Sequence, residues 1–148
     1  SAALALSNTG MAITTDIGDD KDIHPKNKQE VGRRLALLAL RDTYNKQIKD
    51  ASAPVYDTYR IEGNTIRIRF KDLGNGFRKE ASLKGFAIAG TDHQFYPAEA
   101  HFDGDEIIVY SAQVSLPAAV RYGWADSPIC NLFSTSGLPI SSFRTDRW

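Results

Sequence analysis

The spacing of apolar side chains changes near residue 50, so the two ends of the chain predict different architectures. From about residue 28 to 45, apolar positions recur every three or four residues, which predicts an amphipathic helix. Asn27, with Glu30 three positions later, has the pattern of a capping box at the start of such a helix. The apolar positions of this segment are Val31, Leu35, Leu37, Leu38, Leu40 and Tyr44.

The segment before this helix carries shorter signals. "AALALSNTG", residues 2–10, resembles the last turns of a helix closed by Asn8 and Gly10. "MAITTDI" follows and is rich in β-branched residues, which predicts a short strand, and "GDDKDIHP" predicts a loop. The order helix, strand, loop, helix is one unit of a parallel α/β sheet. In such a unit, functional groups are expected on the loop that leaves the carboxyl end of the strand.

From residue 51 onward, short alternating runs separated by turn residues replace the helical period. In "TYRIEGNTIRIRF" two alternating runs meet at Gly63-Asn64, a pair suited to a tight hairpin, and Arg67 and Arg69 are predicted to point away from the apolar face. Asp103-Gly104 predicts a second hairpin turn. Further strands are predicted in "SLKGFAIAG", "QFYPAEAHF", "EIIVYS" and "AAVRYGWA".

About six such strands predict an antiparallel β-sandwich-like domain, and the whole chain is therefore predicted to be α+β. The predicted boundary divides the chain into residues 1–50 and a β-rich part, residues 51–148. The last stretch, "DSPICNLFSTSGLPISSFRTDRW", has no period. We expect it to be an ordered loop that packs back onto the rest of the molecule.

Composition argues against several classes of function. The 148 residues contain 18 basic and 18 acidic side chains, which are scattered, so no basic face is offered to nucleic acid or to anionic lipid. No apolar run approaches the roughly 18 residues of a membrane helix, and "SAALAL" lacks the features of a secretory signal. The single cysteine, Cys130, excludes an internal disulfide and is expected to be a buried spectator.

Metal binding and a complete nucleophilic site are both disfavoured by the sequence. His24, His93 and His101 lie far apart, and none has a partner at the spacing that places two ligands on one helix face. The chain has no G-x-S-x-G elbow, and Cys130 lies in a proline-containing loop without a nearby histidine. The serines of the last stretch are interpreted as ordinary loop residues: Ser134, Ser136, Ser141 and Ser142.

His24 is the strongest candidate for chemistry. The general base of a serine hydrolase needs a carboxylate that holds its ring, and Asp22 is close enough in sequence to reach the second ring nitrogen. Pro25 fixes the chain as it turns toward the helix. Aspartates before a helix also occur because they favour its positive end. The pattern alone therefore favours the structural explanation over catalysis.

A resemblance reverses that preference. The segment "NTGMAITTDIGDDKDIHPKNKQEVGRRLALLAL", with "LKGFAIAG", "FYPAEA", "VRYGWAD" and "GLPISSFRTDRW", resembles the carboxyl-terminal portion of the sialate O-acetylesterase family, within the SGNH (GDSL-type) hydrolases. The resemblance implies that His24 is the catalytic base and that Asp22 is the acid that orients it. Many SGNH enzymes place the acid three residues before the histidine, where this chain has Lys21. The choice between Asp22 and Asp20 therefore stays open.

The same resemblance implies what the chain is and what it lacks. Residues 1–50 would be the carboxyl-terminal remnant of an SGNH catalytic domain, and residues 51–148 the family's β-rich carboxyl-terminal domain. The nucleophilic serine and the oxyanion-hole residues of the family lie upstream of the segments matched here. The implied parent is a secreted, periplasmic or lysosomal esterase that removes O-acetyl groups from sialic acid or related sugars, without a metal or organic cofactor. This chain alone is predicted to be inactive.

Two other functions remain open, and one further prediction concerns the helix. The chain could be a carbohydrate-binding or structural β module, or a separately encoded subunit could supply the serine. A binding module needs exposed aromatic side chains, which more often are core or interface residues; the candidates are Tyr122, Trp124, Phe143 and Trp148. "LALLAL" is apolar around much of the helix. We therefore expect the missing catalytic-domain segment to cover the helix at 28–45 in the parent enzyme. Without that segment, we expect the chain to self-associate through this helix.

Overall fold

The computed structural model describes residues 2–24 and 26–148 and has the predicted α+β architecture. A 3-10 helix, Ala2–Ala5, is followed by a loop and by helix α1, Lys28–Asp42. The strands follow in chain order: β1 Val55–Glu62, β2 Thr65–Lys71, β3 Phe86–Ala89, β4 Phe95–Pro97, β5 Glu99–Asp103, β6 Glu106–Tyr110, β7 Ala119–Tyr122 and β8 Phe143–Arg144. In the residues described, no helix has the length and apolar content needed to cross a membrane.

Helix α1 begins where its capping pattern predicts. The Asn27 side chain accepts a hydrogen bond from the Glu30 backbone amide at 3.0 Å, which satisfies one of the free amides of the first turn. The Glu30 carboxylate bonds Arg33 and Arg34 instead of reaching back, so the capping box is only half formed. The helix ends at Asp42, three residues before the predicted end.

The strands form the predicted β-sandwich. One sheet has the order β1-β2-β6-β5 and the other β4-β3-β7-β8, and the neighbouring strands in each are antiparallel. The predicted hairpin at Gly63-Asn64 is confirmed, because Glu62 pairs with Thr65. The second hairpin turn lies one residue later than predicted, at Gly104-Asp105, because Asp103 pairs with Glu106.

The core lies between the two sheets. Alternation in β2 puts Ile66, Ile68 and Phe70 inside, and Arg67 and Arg69 on the outer face, as predicted. The neighbouring strand β6, the facing sheet and the connecting segments complete the core with Phe77, Phe86, Ile88, Ile107, Val109, Val120, Tyr122, Leu132, Ile140 and Phe143. Because the core draws on both sheets, neither sheet buries its apolar face alone.

The carboxyl-terminal stretch is ordered and packs back, as expected, but it does more than cover the sandwich. Leu132, Ile140 and Phe143 are buried in the core, and β8 extends the second sheet through pairing with β7. An isolated β-bridge also pairs Phe77 with Ser134. A segment without sequence periodicity therefore supplies both core volume and an edge strand.

The strand predicted in "MAITTDI" is wrong. Residues 11–17 run without strand pairing, and every strand assigned in the described residues begins at residue 55 or later. A β-branched segment forms a strand only beside a partner that satisfies its backbone groups. Here the carbonyl of Ile13 accepts a hydrogen bond from the Arg34 side chain instead. The helix predicted before it is likewise reduced to the 3-10 turn, and Asn8 follows with a left-handed φ of 56°.

Helix α1 lies across a cleft from the sandwich, and only part of its apolar surface is covered. Leu38 is buried and contacts Gly10, whereas Leu35 is 50% exposed and Leu40 is also exposed. A cleft of about 430 Å³ separates residues 9–13 and α1 from the sandwich. The apolar lining of this cleft includes Leu4, Met11, Leu38, Pro54, Leu138 and Phe143.

Candidate active site in the loop before helix α1

The loop between residue 17 and helix α1 brings His24 and Asp22 together. Asp22 Oδ1 accepts a hydrogen bond from the His24 backbone amide at 2.9 Å and lies 3.0 Å from the ring nitrogen Nδ1. The His24 side chain is 76% exposed. Because the contact uses Nδ1, Nε2 is the ring nitrogen that remains to meet a nucleophile, as in the base of a serine hydrolase.

The electrostatics of this pair favour an ionised carboxylate. The His24 backbone amide, followed by the His24 ring, lowers the pKa of Asp22 below its usual range. An ionised carboxylate at Nδ1 holds the proton on that nitrogen and leaves Nε2 as an acceptor. The local geometry therefore matches the orienting half of a catalytic triad.

The neighbouring aspartates have different partners. Asp19 accepts hydrogen bonds from the Lys21 backbone amide at 3.0 Å and from Lys26 Nζ at 3.1 Å, which lower its pKa. The Asp22 amide bonds the Asp19 carbonyl, which closes a tight turn in this loop. Asp20 is exposed, and among the acidic residues described only Asp22 contacts the His24 ring.

Arg34 anchors the segment that enters the loop, and sequence reasoning missed it. Its side chain is only 4% exposed and forms a bidentate ion pair with Asp16, with both distances 2.7 Å. It also donates to the Ile13 carbonyl and to Glu30, one turn earlier on α1. Hydrogen bonds from Arg33 and Arg34 lower the pKa of Glu30 to about 2. The sequence did contain a signal for this buried ion pair, because Arg34 lies on the apolar face of the predicted helix, four residues after Glu30.

The other predicted histidines lie in separate places. His93 lies in the turn before β4 and stacks on Trp148, and His101 lies in β5 beside Tyr110. Within residues 2–24 and 26–148, no group of three or more His, Cys, Asp or Glu side chains could hold a metal ion. Among the histidines described, only His24 has a carboxylate within hydrogen-bonding distance of its ring.

The thiol and serine side chains show structural roles. Burial raises the pKa of the half-buried Cys130 thiol, which disfavours the reactive thiolate. The buried Ser134 hydroxyl lies 2.8 Å from the Ser136 hydroxyl and accepts a hydrogen bond from the Leu138 amide within a turn. These contacts stabilise the carboxyl-terminal stretch.

The four candidate aromatic residues divide into two pairs. Tyr122 and Phe143 are core residues whose rings stack at a centroid distance of 5.6 Å. Trp124 is 51% exposed and Trp148 is 46% exposed. Only the two tryptophans therefore have the exposure that contact with a ligand requires.

The amino-terminal part of the chain exposes several large apolar side chains. Exposed large apolar side chains are concentrated in the first 44 residues: Leu4, Leu6, Met11, Ile23, Leu35, Leu40 and Tyr44. Ile23 directly precedes His24 and is almost fully exposed. Apolar patches of this kind commonly mark surfaces that another protein segment covers.

Comparisons with known proteins include a close structural match. The sequence matches no family model, and no curated protein matches it. The fold matches the crystal structure of a carbohydrate acetylesterase from Xanthomonas citri with a TM-score of 0.93 and 44% sequence identity. The match covers 98% of this chain but only 34% of that protein. This chain is therefore similar, over nearly its whole length, to about a third of a carbohydrate acetylesterase.

Proposed function

We propose that this chain is the carboxyl-terminal part of a serine esterase that removes O-acetyl groups from sugars, with His24 as general base and Asp22 as its orienting acid. The observation that carries the proposal is the His24–Asp22 contact in a chain 44% identical to part of a carbohydrate acetylesterase. The nucleophilic serine and the oxyanion donors would come from the catalytic-domain segment outside this chain.

The proposed mechanism uses the geometry of the loop. His24 Nε2 accepts the proton of the serine hydroxyl as its oxygen attacks the acetyl carbonyl, and Asp22 stabilises the imidazolium that forms. When the tetrahedral intermediate collapses, the bond to the sugar oxygen breaks and His24 returns the proton to that oxygen. His24 then activates a water molecule that hydrolyses the acetyl-enzyme. This sequence requires no metal or organic cofactor.

The identity of the sugar that carries the acetyl group is a more specific proposal. The sequence resemblance favours O-acetylated sialic acid, whose carboxylate would be attracted by basic side chains near the loop. Lys26 and Arg33 are already paired with Asp19 and Glu30, which leaves Lys28 at the start of α1 as the more available cation. An O-acetylated sugar is therefore the substrate class that we infer, with sialic acid as the first member to test.

The decisive experiment replaces His24 by Ala in an enzyme that contains both this chain and its catalytic segment. We expect turnover of an aryl acetate to fall by at least about a hundredfold, the low end of the contribution of positioned acid–base catalysis. His101→Ala is the matched control, because His101 is an exposed histidine on β5. A His24→Ala enzyme that keeps most of its activity, with an unchanged circular-dichroism spectrum, would overturn the proposal.

The isolated chain gives a second test. A base without its nucleophile has no hydroxyl to activate, so this chain alone should not hydrolyse an aryl acetate above the buffer rate. Turnover that His24→Ala abolishes would mean that a serine within the chain acts as nucleophile. The assignment of the missing serine to another segment would then be wrong.

A further inference from the structure

The second sheet presents charged and aromatic side chains on its outer face. Arg121 in β7 is paired with Arg144 in β8, so both side chains lie on the same face. Their neighbours Val120, Tyr122 and Phe143 are buried in the core. Because successive side chains of a strand alternate between faces, the two arginines must point outward.

Arg121 is held in place by the carboxyl-terminal tail. It forms a bidentate pair with Asp146, at 3.0 and 2.8 Å, and its guanidinium lies 3.9 Å from the centre of the Phe95 ring. The Asp146 side chain is fully buried. Arg121 and Asp146 therefore stabilise this face, and their hydrogen-bonding groups are largely used within the molecule.

Arg144 is less completely paired. Its Nη1 lies 3.7 Å from Asp146, beyond hydrogen-bonding distance, and the guanidinium lies 5.3 Å from the centre of the exposed Trp124 ring. The Arg144 side chain is partly exposed. Arg144 therefore keeps planar N–H donors available beside an exposed indole.

Trp148 provides a second flat surface further along the tail. Its ring stacks on His93 at a centroid distance of 4.0 Å and an interplanar angle of 14°, which fixes the indole while leaving it 46% exposed. Thr145 is pinned to β7 by two hydrogen bonds with Val120, at 3.0 and 2.9 Å. Arg144 and Trp148 are four positions apart, so their Cα atoms lie at most about 13 Å from each other.

We propose that this surface, defined by Trp124, Arg144, Trp148 and His93 and here called the outer-sheet platform, binds an oligosaccharide chain. The choice of ligand class rests on the proposed function. Sugar rings have apolar C–H faces that pack on an indole and polar rims that accept hydrogen bonds from a guanidinium. A protein interface would instead be expected to have a centre depleted of charged residues, whereas here the charged Arg144 lies beside the Trp124 indole.

The test is a titration of this 148-residue chain with three probes: xylopentaose, cellopentaose and sialyllactose. The chain has two tryptophans, Trp124 and Trp148, so their indole N–H signals in an NMR spectrum can be assigned by single substitution. We expect at least one probe to shift both signals. Trp124→Ala and Trp148→Ala should each weaken its binding by up to about tenfold, the loss of one aromatic stacking contact.

The matched control is Tyr44→Ala, because Tyr44 is an exposed aromatic residue next to α1 and outside the platform. It should bind the probe like the unaltered chain. Three outcomes would overturn the proposal: no probe binds at millimolar concentration, both tryptophan substitutions leave binding unchanged, or the signals shift with protein concentration alone. The last outcome would identify a second copy of the chain as the occupant.

This test separates the platform from the proposed active site. In the longer enzyme, His24→Ala should abolish aryl-acetate turnover but leave oligosaccharide binding unchanged. If His24→Ala keeps full activity while the probes still bind at Trp124 and Trp148, the catalytic proposal fails and the platform stands. If the probes do not bind but His24→Ala is inactive, the platform fails alone.

Discussion

At the scale of single residues, the contact between Asp22 and His24 distinguishes Asp22 from Asp20, a choice that the sequence leaves open. Asp22 touches both the backbone amide and the ring of His24, whereas Asp20 is exposed. In a longer enzyme containing this chain, we expect Asp22→Asn to reduce turnover of an aryl acetate strongly, by no more than His24→Ala. Asp20→Asn should have little effect. The physical reason is that an amide cannot hold the Nδ1 proton as a carboxylate does.

Steady-state kinetics of the two variants side by side would check this prediction, with each variant controlling for the charge lost in the other. A large loss in Asp20→Asn with a small loss in Asp22→Asn would transfer the orienting role to Asp20.

The lowered pKa of Asp22 also determines the direction of the pH effect. Because the pKa of Asp22 in the folded chain is lowered, its carboxylate should stay ionised and keep its contact with His24 below about pH 3.9, where a free aspartate is half protonated. The contact should be lost as the pH falls through the pKa of the folded state.

At the scale of elements, helix α1 and the loop before it depend on one buried guanidinium. Arg34→Ala would leave Asp16 and the Ile13 carbonyl without their partner, although both lie at the entry to the His24 loop. We expect the free energy of unfolding to fall by about 3 kcal/mol, the low end for a broken buried ion pair, because Asp16 is partly exposed. Urea denaturation with hydrogen exchange of residues 11–24 would measure it.

Arg34→Lys is the matched variant for this test. It keeps the positive charge but loses the planar fork that bonds Asp16 through two atoms, so an intermediate loss of stability is expected. If Arg34→Ala changes neither the unfolding midpoint nor the protection of residues 11–24, the anchoring role is wrong. Equal losses in both variants would show that the fork geometry, and not the charge alone, carries the stabilisation.

At the scale of the whole molecule, the exposed apolar side chains on α1 predict self-association of this chain. Leu35 and Leu40 are exposed while Leu38 is buried, so one side of the helix is covered and another is open. We expect static light scattering to show a molar mass that rises with concentration, because removing apolar surface from water favours association. Leu35→Glu should shift the chain toward the monomer.

Ile61→Glu is the control for added charge, because Ile61 is comparably exposed but lies on β1. It should associate like the unaltered chain. A strict monomer at high concentration would contradict the prediction, and equal effects of the two substitutions would show that general charge repulsion is responsible.

The sequence alone determined the features that depend on neighbouring residues. The alternation in β2, the hairpin at Gly63-Asn64 and the cap at Asn27 all form as predicted, because each rests on contacts within a few positions. The closeness of Asp22 to His24 is equally local. The catalytic role of that pair stays a prediction, as does the division of the chain at residue 50, because both concern a larger enzyme of which this chain resembles about a third.

Tertiary structure decided the features that depend on distant partners. "MAITTDI" has the composition of a strand, but the Ile13 carbonyl bonds a helix side chain 21 positions away. The carboxyl-terminal stretch has no period, yet Leu132 and Ile140 are buried in the core together with residues of both sheets. Composition could not distinguish Trp124 from Tyr122 either: one is exposed and the other buried. Local patterns specify backbone preferences, whereas pairing and burial are set by the surfaces that the completed fold brings together.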